Sequence, residues 1–157
     1  MSFIATAPTP PQTPETVIQN DGFFPDFDMT ATRDALRLDG TVTAPRLRHA
    51  LLGAILEVAN DLAAWKEDMQ LQGHAALADV PAGAKIDGRS RREIAYERAV
   101  YSLAKADLIE RMADYDTTAA GQKRVDWLAE TPDEHRRNAR WSVADVQAKL
   151  RTTVELI

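Results

Sequence analysis

Residues 44–72 read APRLRHALLGAILEVANDLAAWKEDMQLQ, and their spacing decides the fold class. Leu47, Leu51, Ala54, Ile55, Val58, Leu62, Trp65 and Met69 recur at intervals of three and four. That is one apolar stripe with the 3.6-residue period of an α-helix. The opposite side carries Arg48, Glu57, Asp61, Lys66 and Asp68. Thr43 stands at the N-cap, and Pro45 falls in the first turn, where its missing N–H leaves no bond unmade. Gly73 supplies the stop. The pattern predicts one continuous helix from Ala44 to about Gln72, about 40 Å long at 1.5 Å per residue.

Working outward, Asp28 is an N-cap for a short helix over Met29 to Leu38, with Gly40 as its stop and Ala35, Leu36 and Leu38 as its apolar side. After the long helix, Gly73 to Gly88 form a loop punctuated by Pro81, Gly83 and Gly88 and tacked to the core by Leu77 and Val80. Ser90 with Glu93 makes a capping box for a third helix reaching about Thr117. Ile94, Ala104, Leu108, Met112 and Tyr115 lie near one of its stripes, joined by Tyr101, and Gly121 interrupts it. Val125 to Leu128 form a turn of their own. Thr131-Pro132-Asp133-Glu134 is a second capping box with proline at the first helical position. The helix it opens is expected to reach about Lys149 and to bury Ala139, Val143, Val146 and Leu150. The fold class is therefore all-α, a bundle of about four helices with an extended N-terminal arm and an extended C-terminal segment. The divisions are an arm over residues 1–28, a helical domain over 29–150 and a tail over 151–157.

Both ends differ from the middle. Pro8, Pro10, Pro11 and Pro14 keep the first 21 residues out of helices and ladders, so they read as an extended arm or a disordered leader. Phe23, Phe24 and Phe27 beside Pro25 read as an anchor, either onto an adjacent subunit or into the local core. At the other end Thr152, Thr153, Val154, Glu155, Leu156 and Ile157 favour extended backbone, with Val154 and Leu156 on one face. Such a segment either pairs with a partner's sheet edge or groove, or packs as a short strand on its own domain.

Composition narrows the class. The 157 residues are 45% hydrophobic and 27% charged, enough for one buried core, and Ala and Leu dominate an apolar set poor in aromatics. There is no cysteine, so disulfides and thiolate metal sites are excluded. No apolar run is long enough for a membrane span, and no basic-then-apolar leader opens the chain, so no membrane partner or signal peptide is expected. A net charge of −5 argues against a freestanding grip on duplex DNA, which needs a basic surface.

Catalytic chemistry has no motif here. His49, His74 and His135 are not spaced as metal ligands, there is no nucleophile elbow or phosphate loop, and no cofactor is implied. Two basic clusters remain. Arg89, Arg91 and Arg92 precede the third helix, and Arg136, Arg137 and Arg140 lie in the fourth. The first cluster sits where the helix dipole disfavours cations, so it is either a contact for phosphate or an acidic partner, or a solvated turn.

Several stretches carry a resemblance. They are Phe24-Pro25-Asp26-x-Asp28, Arg37-Leu38, Thr41-Val42-x-Ala44-Pro45-x-Leu47-Arg48, Leu77-Ala78-Asp79-Val80-Pro81, Ile86-Asp87-Gly88 and Tyr96-Glu97-Arg98-Ala99-Val100. Arg140-Trp141-x-Val143-Ala144 and Gln147 follow near the end. No one stretch is specific, but in this order, from Phe23 to about Ile157, the chain resembles the head-completion proteins (the gpL type) of contractile-tailed phages. Residues 1–22 do not take part in the match, and residues 118–135 match poorly.

The resemblance implies a structural adaptor in the virion neck, assembled in the host cytoplasm, that docks under the portal protein after packaging. It implies a ring of identical subunits, expected to be a dodecamer, which receives a stopper or tail-terminator protein. Packaged DNA would pass through the lumen without sequence-specific binding. Portal binding would fall to Leu150, Arg151, Thr152, Thr153, Val154, Glu155, Leu156 and Ile157. The alternative reading is a small helical nucleic-acid-binding protein acting through Arg89, Arg91 and Arg92; an enzyme with an unrecognised carboxylate site is a third.

Overall fold

The computed structural model describes residues 15–113 and 131–151. Within them the fold is mostly helical, with a small sheet. Strands β1 (Val17–Ile18) and β2 (Phe27–Asp28) pair antiparallel, Val17 opposite Asp28 and Ile18 opposite Phe27. Helices α1 (Met29–Ala35), α2 (Ala44–Asp61), α3 (Ala63–Leu71), α4 (Arg91–Ala113) and α5 (Pro132–Val146) follow, with a single 3-10 turn over Leu77–Asp79. The helical class holds, and among the described residues the expected bundle of about four helices becomes five helices with a two-stranded sheet beside them. The Val125–Leu128 turn, the third helix beyond Ala113 and residues 152–157 lie outside the described residues.

Local signals act where the sequence puts them. Asp28 accepts hydrogen bonds from the Thr30 and Ala31 amides at 2.7 and 3.0 Å, capping α1. Thr131 and Glu134 form the reciprocal capping box of α5. At the start of α4 the Glu93 carboxylate accepts from the Ser90 amide at 2.8 Å, and Ser90 Oγ accepts from the Arg92 amide at 3.3 Å. Thr43 differs, since its hydroxyl makes no capping bond and Pro45 alone shapes the first turn of α2.

Three helices end in the same way. In α1, α3 and α5 the residue after the C-cap takes positive φ (Arg37 at 52°, Gly73 at 92°, Ala148 at 55°). The amides that follow reach back to the carbonyls of the last turn, as Leu38 does to Arg33 and Lys149 to Ala144. The first helix therefore stops at Ala35 and the last at Val146, each about a turn short of the sequence expectation. The Ala148 methyl incurs the left-handed strain and carries no polar group to offset it. Ala148→Gly is expected to raise stability by about 0.5–1 kcal/mol, measurable as a higher urea midpoint at unchanged slope.

The long helix is broken. Leu62 sits at φ −99° and ψ 0°, so α2 and α3 are separate rods joined at a buried leucine. Leu47, Leu51, Ala54, Val58 and Leu62 are buried as the stripe requires, but α3 has no fully buried residue. Helix α3 meets the aromatic segment before α1: the Trp65 ring lies 6.3 Å from that of Phe23, and Lys66 Nζ is 2.6 Å from Asp21 Oδ2.

Helix α4 is the centre of the fold, packed along both α2 and α5. Ala95, Tyr96, Ala99, Val100, Ala104, Ala106, Leu108 and Ile109 are all buried. A helix covered on two sides has no single stripe, so the sequence expectation finds Ala104 and Leu108 but misses Tyr96, Ala99 and Val100. Its alanines let the neighbouring helices approach closely. Met112's side chain and Tyr115 lie outside the described part.

Candidate functional site

The segment ahead of α1 is the first candidate, and it proves to be core. Phe23, Phe24 and Phe27 are 2, 3 and 2% exposed. Phe24 stacks on Tyr96 with centroids 4.3 Å apart and an interplanar angle of 4°. Phe23 meets Phe24 edge-on at 5.1 Å, and Phe27 packs against Tyr101 at 5.8 Å. The backbone is held too: Asp21 Oδ1 accepts from the Phe23 and Phe24 amides, and the Leu77 amide donates to the Phe23 carbonyl at 2.8 Å. The Asp21 carboxyl is partly desolvated, which raises its pKa, but Lys66 and those two amides outweigh burial and hold it below its ordinary value. An inter-subunit contact at Phe23, Phe24 and Phe27 is therefore corrected to intramolecular packing, because rings buried in this chain have no free face to offer. Residues 15–28 likewise belong to the packed domain and not to an arm; residues 1–14 lie outside the described part.

The Arg89, Arg91 and Arg92 cluster also changes meaning. Arg92 lies in a cage: Nε and Nη2 donate to the Pro81 carbonyl at 3.2 and 3.1 Å, and Nη1 donates to the Val146 carbonyl. Its guanidinium lies 5.4 Å from the centroid of the Trp65 ring, a cation–π distance. Burial alone pulls its pKa down. One side chain thus ties α4 to the loop before it, to α3 and to the end of α5. Arg89 is paired with Glu97 at 2.8 Å. Only Arg91 of the three stays exposed with no partner drawn from the described residues. Carbonyls and a carboxylate of the same chain thus already engage Arg92 and Arg89.

Two residues of the second basic cluster are similarly engaged. Arg136 makes a two-pronged pair with Glu110 at 2.7 and 2.5 Å, joining α5 to α4, and Arg137 lies over Trp141 at 5.2 Å. Arg136 holds the Glu110 carboxyl below its ordinary pKa. The pair is exposed, so its contribution is modest; it is present above the ordinary glutamate range and lost as pH falls through the lowered folded value.

What remains free is the exit of α5. Val146 is fully buried under Arg92, and Gln147 Nε2 reaches the Asp61 carbonyl at 3.4 Å. The turn at Ala148 then throws the chain outward. Leu150, expected to be buried, is 94% exposed. Arg151 folds back onto Asp145 at 2.6 Å and lies 5.8 Å from the Trp141 ring. The structure thus brings together two features that are far apart in sequence, Arg92 and the root of the tail, with Arg92 as the clamp that fixes where the tail departs. The rest of the expected portal segment, Thr152 to Ile157, lies outside the described residues.

Arg92→Lys is expected to lose about 2 kcal/mol, because an ammonium cannot donate to two carbonyls in one plane and cover the Trp65 ring as well. Urea unfolding measures it; a variant within error of the parent would remove the clamp from the account.

Among the described residues no group of His, Asp or Glu is placed to hold a metal ion, and no helix is long and apolar enough to cross a membrane.

A family model described as phage head completion protein (GPL) matches residues 18–157. The chain is 42% identical over 143 residues to the head completion/stabilization protein of Escherichia phage P2, covering 91% of this chain and 84% of that protein. No solved structure matches the chain.

Proposed function

Because the chain belongs to the phage head completion protein (GPL) family, we propose that it closes the DNA-filled head as an adaptor ring docked under the portal. Membership makes it a structural protein of phage head completion, associated with the virion. The ring, the portal and the platform for tail attachment are the finer reading. The observation that carries it is the exit of α5, where a clamped helix end leads to a 94% exposed Leu150 and an apolar final segment.

The mechanism is one of surface burial. Leu150 and the apolar side chains of residues 152–157 gain free energy by leaving water for a groove or sheet edge on the portal protein. Repetition of one subunit contact about the portal axis closes a ring, expected to be a dodecamer. Subunits held side by side bind more tightly than one alone, because each docking event raises the effective concentration of the next. A net charge of −5 supports a lumen that confines DNA by its dimensions instead of gripping phosphates, so the genome remains free to leave. Arg89 and Arg92 are engaged within the fold, which removes most of the support for an acidic-partner or nucleic-acid site there.

The test uses filled heads isolated without this protein. Adding the purified chain is expected to make the packaged DNA resistant to nuclease, with the protein sedimenting on the heads. Heads that stay leaky and bind no protein would sink the proposal.

A further inference from the structure

Beyond α5 the chain is fastened twice. Ala148 turns it back at φ 55°, and the Ala148 and Lys149 amides close on the Asp145 and Ala144 carbonyls at 3.1 and 2.9 Å. Two residues later comes the second fastening. Arg151 Nε donates to Asp145 Oδ1 at 3.1 Å and Nη2 donates to Oδ2 at 2.6 Å, a two-pronged grip six residues back along the chain. The same guanidinium lies 5.8 Å from the centroid of the half-buried Trp141 ring. Leu150 stands between the two fastenings and is 94% exposed.

Asp145 works against its own helix. It lies in the last turn of α5, where the negative end of the helix dipole disfavours an anion, and that turn holds no basic residue. Arg151 offsets this from outside the helix. An exposed ion pair usually adds little to stability. This one joins no two parts of the core; it holds the root of the final segment.

We propose that Arg151 is a positioning residue for docking. Gripped by Asp145 and laid against Trp141, it forms a latch that presents Leu150 and fixes the point from which residues 152–157 set out. Part of the ordering that docking requires is then complete before contact. The role rests on the portal reading above, in which the final segment does the docking. The resemblance placed Arg151 among the residues that touch the portal; the geometry turns it towards its own helix. With the latch open, only a fraction of subunits presents the root correctly, and apparent affinity falls by that fraction. For an exposed two-pronged pair the fall is about fivefold.

Binding of full-length variants to portal rings, measured beside thermal melts, tests this. Asp145→Asn should weaken binding about fivefold while the thermal midpoint holds or rises, since the amide relieves the helix end. Arg151→Ala should weaken binding to a similar degree. The exchange Asp145→Arg/Arg151→Asp restores the pair in reverse and should bind better than either single variant. If Arg151 touched the portal directly, Asp145→Asn would bind like the parent and the exchange would bind no better than Arg151→Ala; either result overturns the proposal. The latch is also read without the portal. A nitroxide on Leu150→Cys, the sole thiol in a chain that has no cysteine, should tumble more freely once Asp145→Asn is added, and an unchanged spectrum overturns the latch. Failure of the docking reading looks different: the chain lacking residues 152–157 would still bind portal rings, and the positioning role would fall with it. Binding lost on that deletion, yet untouched by Asp145→Asn and Arg151→Ala, sinks the positioning role alone.

Discussion

Tyr96→Ala is expected to cost about 3–5 kcal/mol and to lower the thermal midpoint by about 10 °C or more, the largest loss of any single truncation in the core. Tyr96 is fully buried in the middle of α4. Its ring supports Phe24 in a parallel stack and Phe27 at 6.0 Å, so removing it leaves a cavity beneath the whole aromatic segment that precedes α1. Its hydroxyl accepts a hydrogen bond from Asn20 Nδ2 at 3.0 Å, and the same amide donates to the Pro25 carbonyl. Tyr96→Phe keeps the stack and loses only that hydroxyl, so about 1 kcal/mol is expected. Equal losses from the two variants would mean that the ring stack does not dominate.

The same residue sets an alkaline limit. Burial pushes the Tyr96 hydroxyl up to about 12, the Asn20 bond lowers it and the nearby Asp21 charge raises it again. A phenol whose folded pKa exceeds its unfolded value of about 10 stabilises the fold fully below pH 10. That contribution is lost as pH climbs through the interval to 12. The Tyr96→Phe variant should lack this part of the alkaline decline.

Deleting residues 152–157 is expected to leave the domain folded and to abolish binding to portal rings. The physical argument separates the two. Val146 is sealed by Arg92, and the backbone turn that ends α5 is complete by Lys149, so the deletion removes no described core contact. What it removes is apolar docking surface. Burying three aliphatic side chains is worth about 1.5–3 kcal/mol each before ordering costs are subtracted, which leaves at least about a 100-fold loss of affinity per subunit. Multiplied around a ring, a loss of that size is complete at working concentrations. Leu150→Asp should weaken binding in the same direction by a smaller factor. Co-sedimentation with portal rings, beside a thermal melt of the truncated chain, measures both halves. Portal binding retained within a few-fold of the parent would refute the tail assignment, and a lost melt would refute the independence of the domain.

Much of the scaffold was legible because its signals are local. Asp28, Ser90 with Glu93 and Thr131 with Glu134 cap the backbone within three residues of themselves, so their meaning does not depend on the rest of the chain. The stripe from Leu47 to Leu62 is likewise a property of spacing alone. The resemblance to head-completion proteins rested on ordered short stretches and survives comparison at 42% identity.

By itself, then, the sequence determined the helical class, the starts of α1, α2, α4 and α5, the buried side of α2 and the family. Only the tertiary structure decided that Phe23, Phe24 and Phe27 are core, that α4 is covered on both sides, that the long helix breaks at Leu62, and that Arg92 is a clamp. The reason is distance along the chain. Asn20 and Tyr96 are 76 residues apart, Arg92 and Val146 54 apart. A guanidinium has the same sequence neighbours whether it ends in solvent or over a tryptophan ring; which of these happens is settled by where the other helices pack.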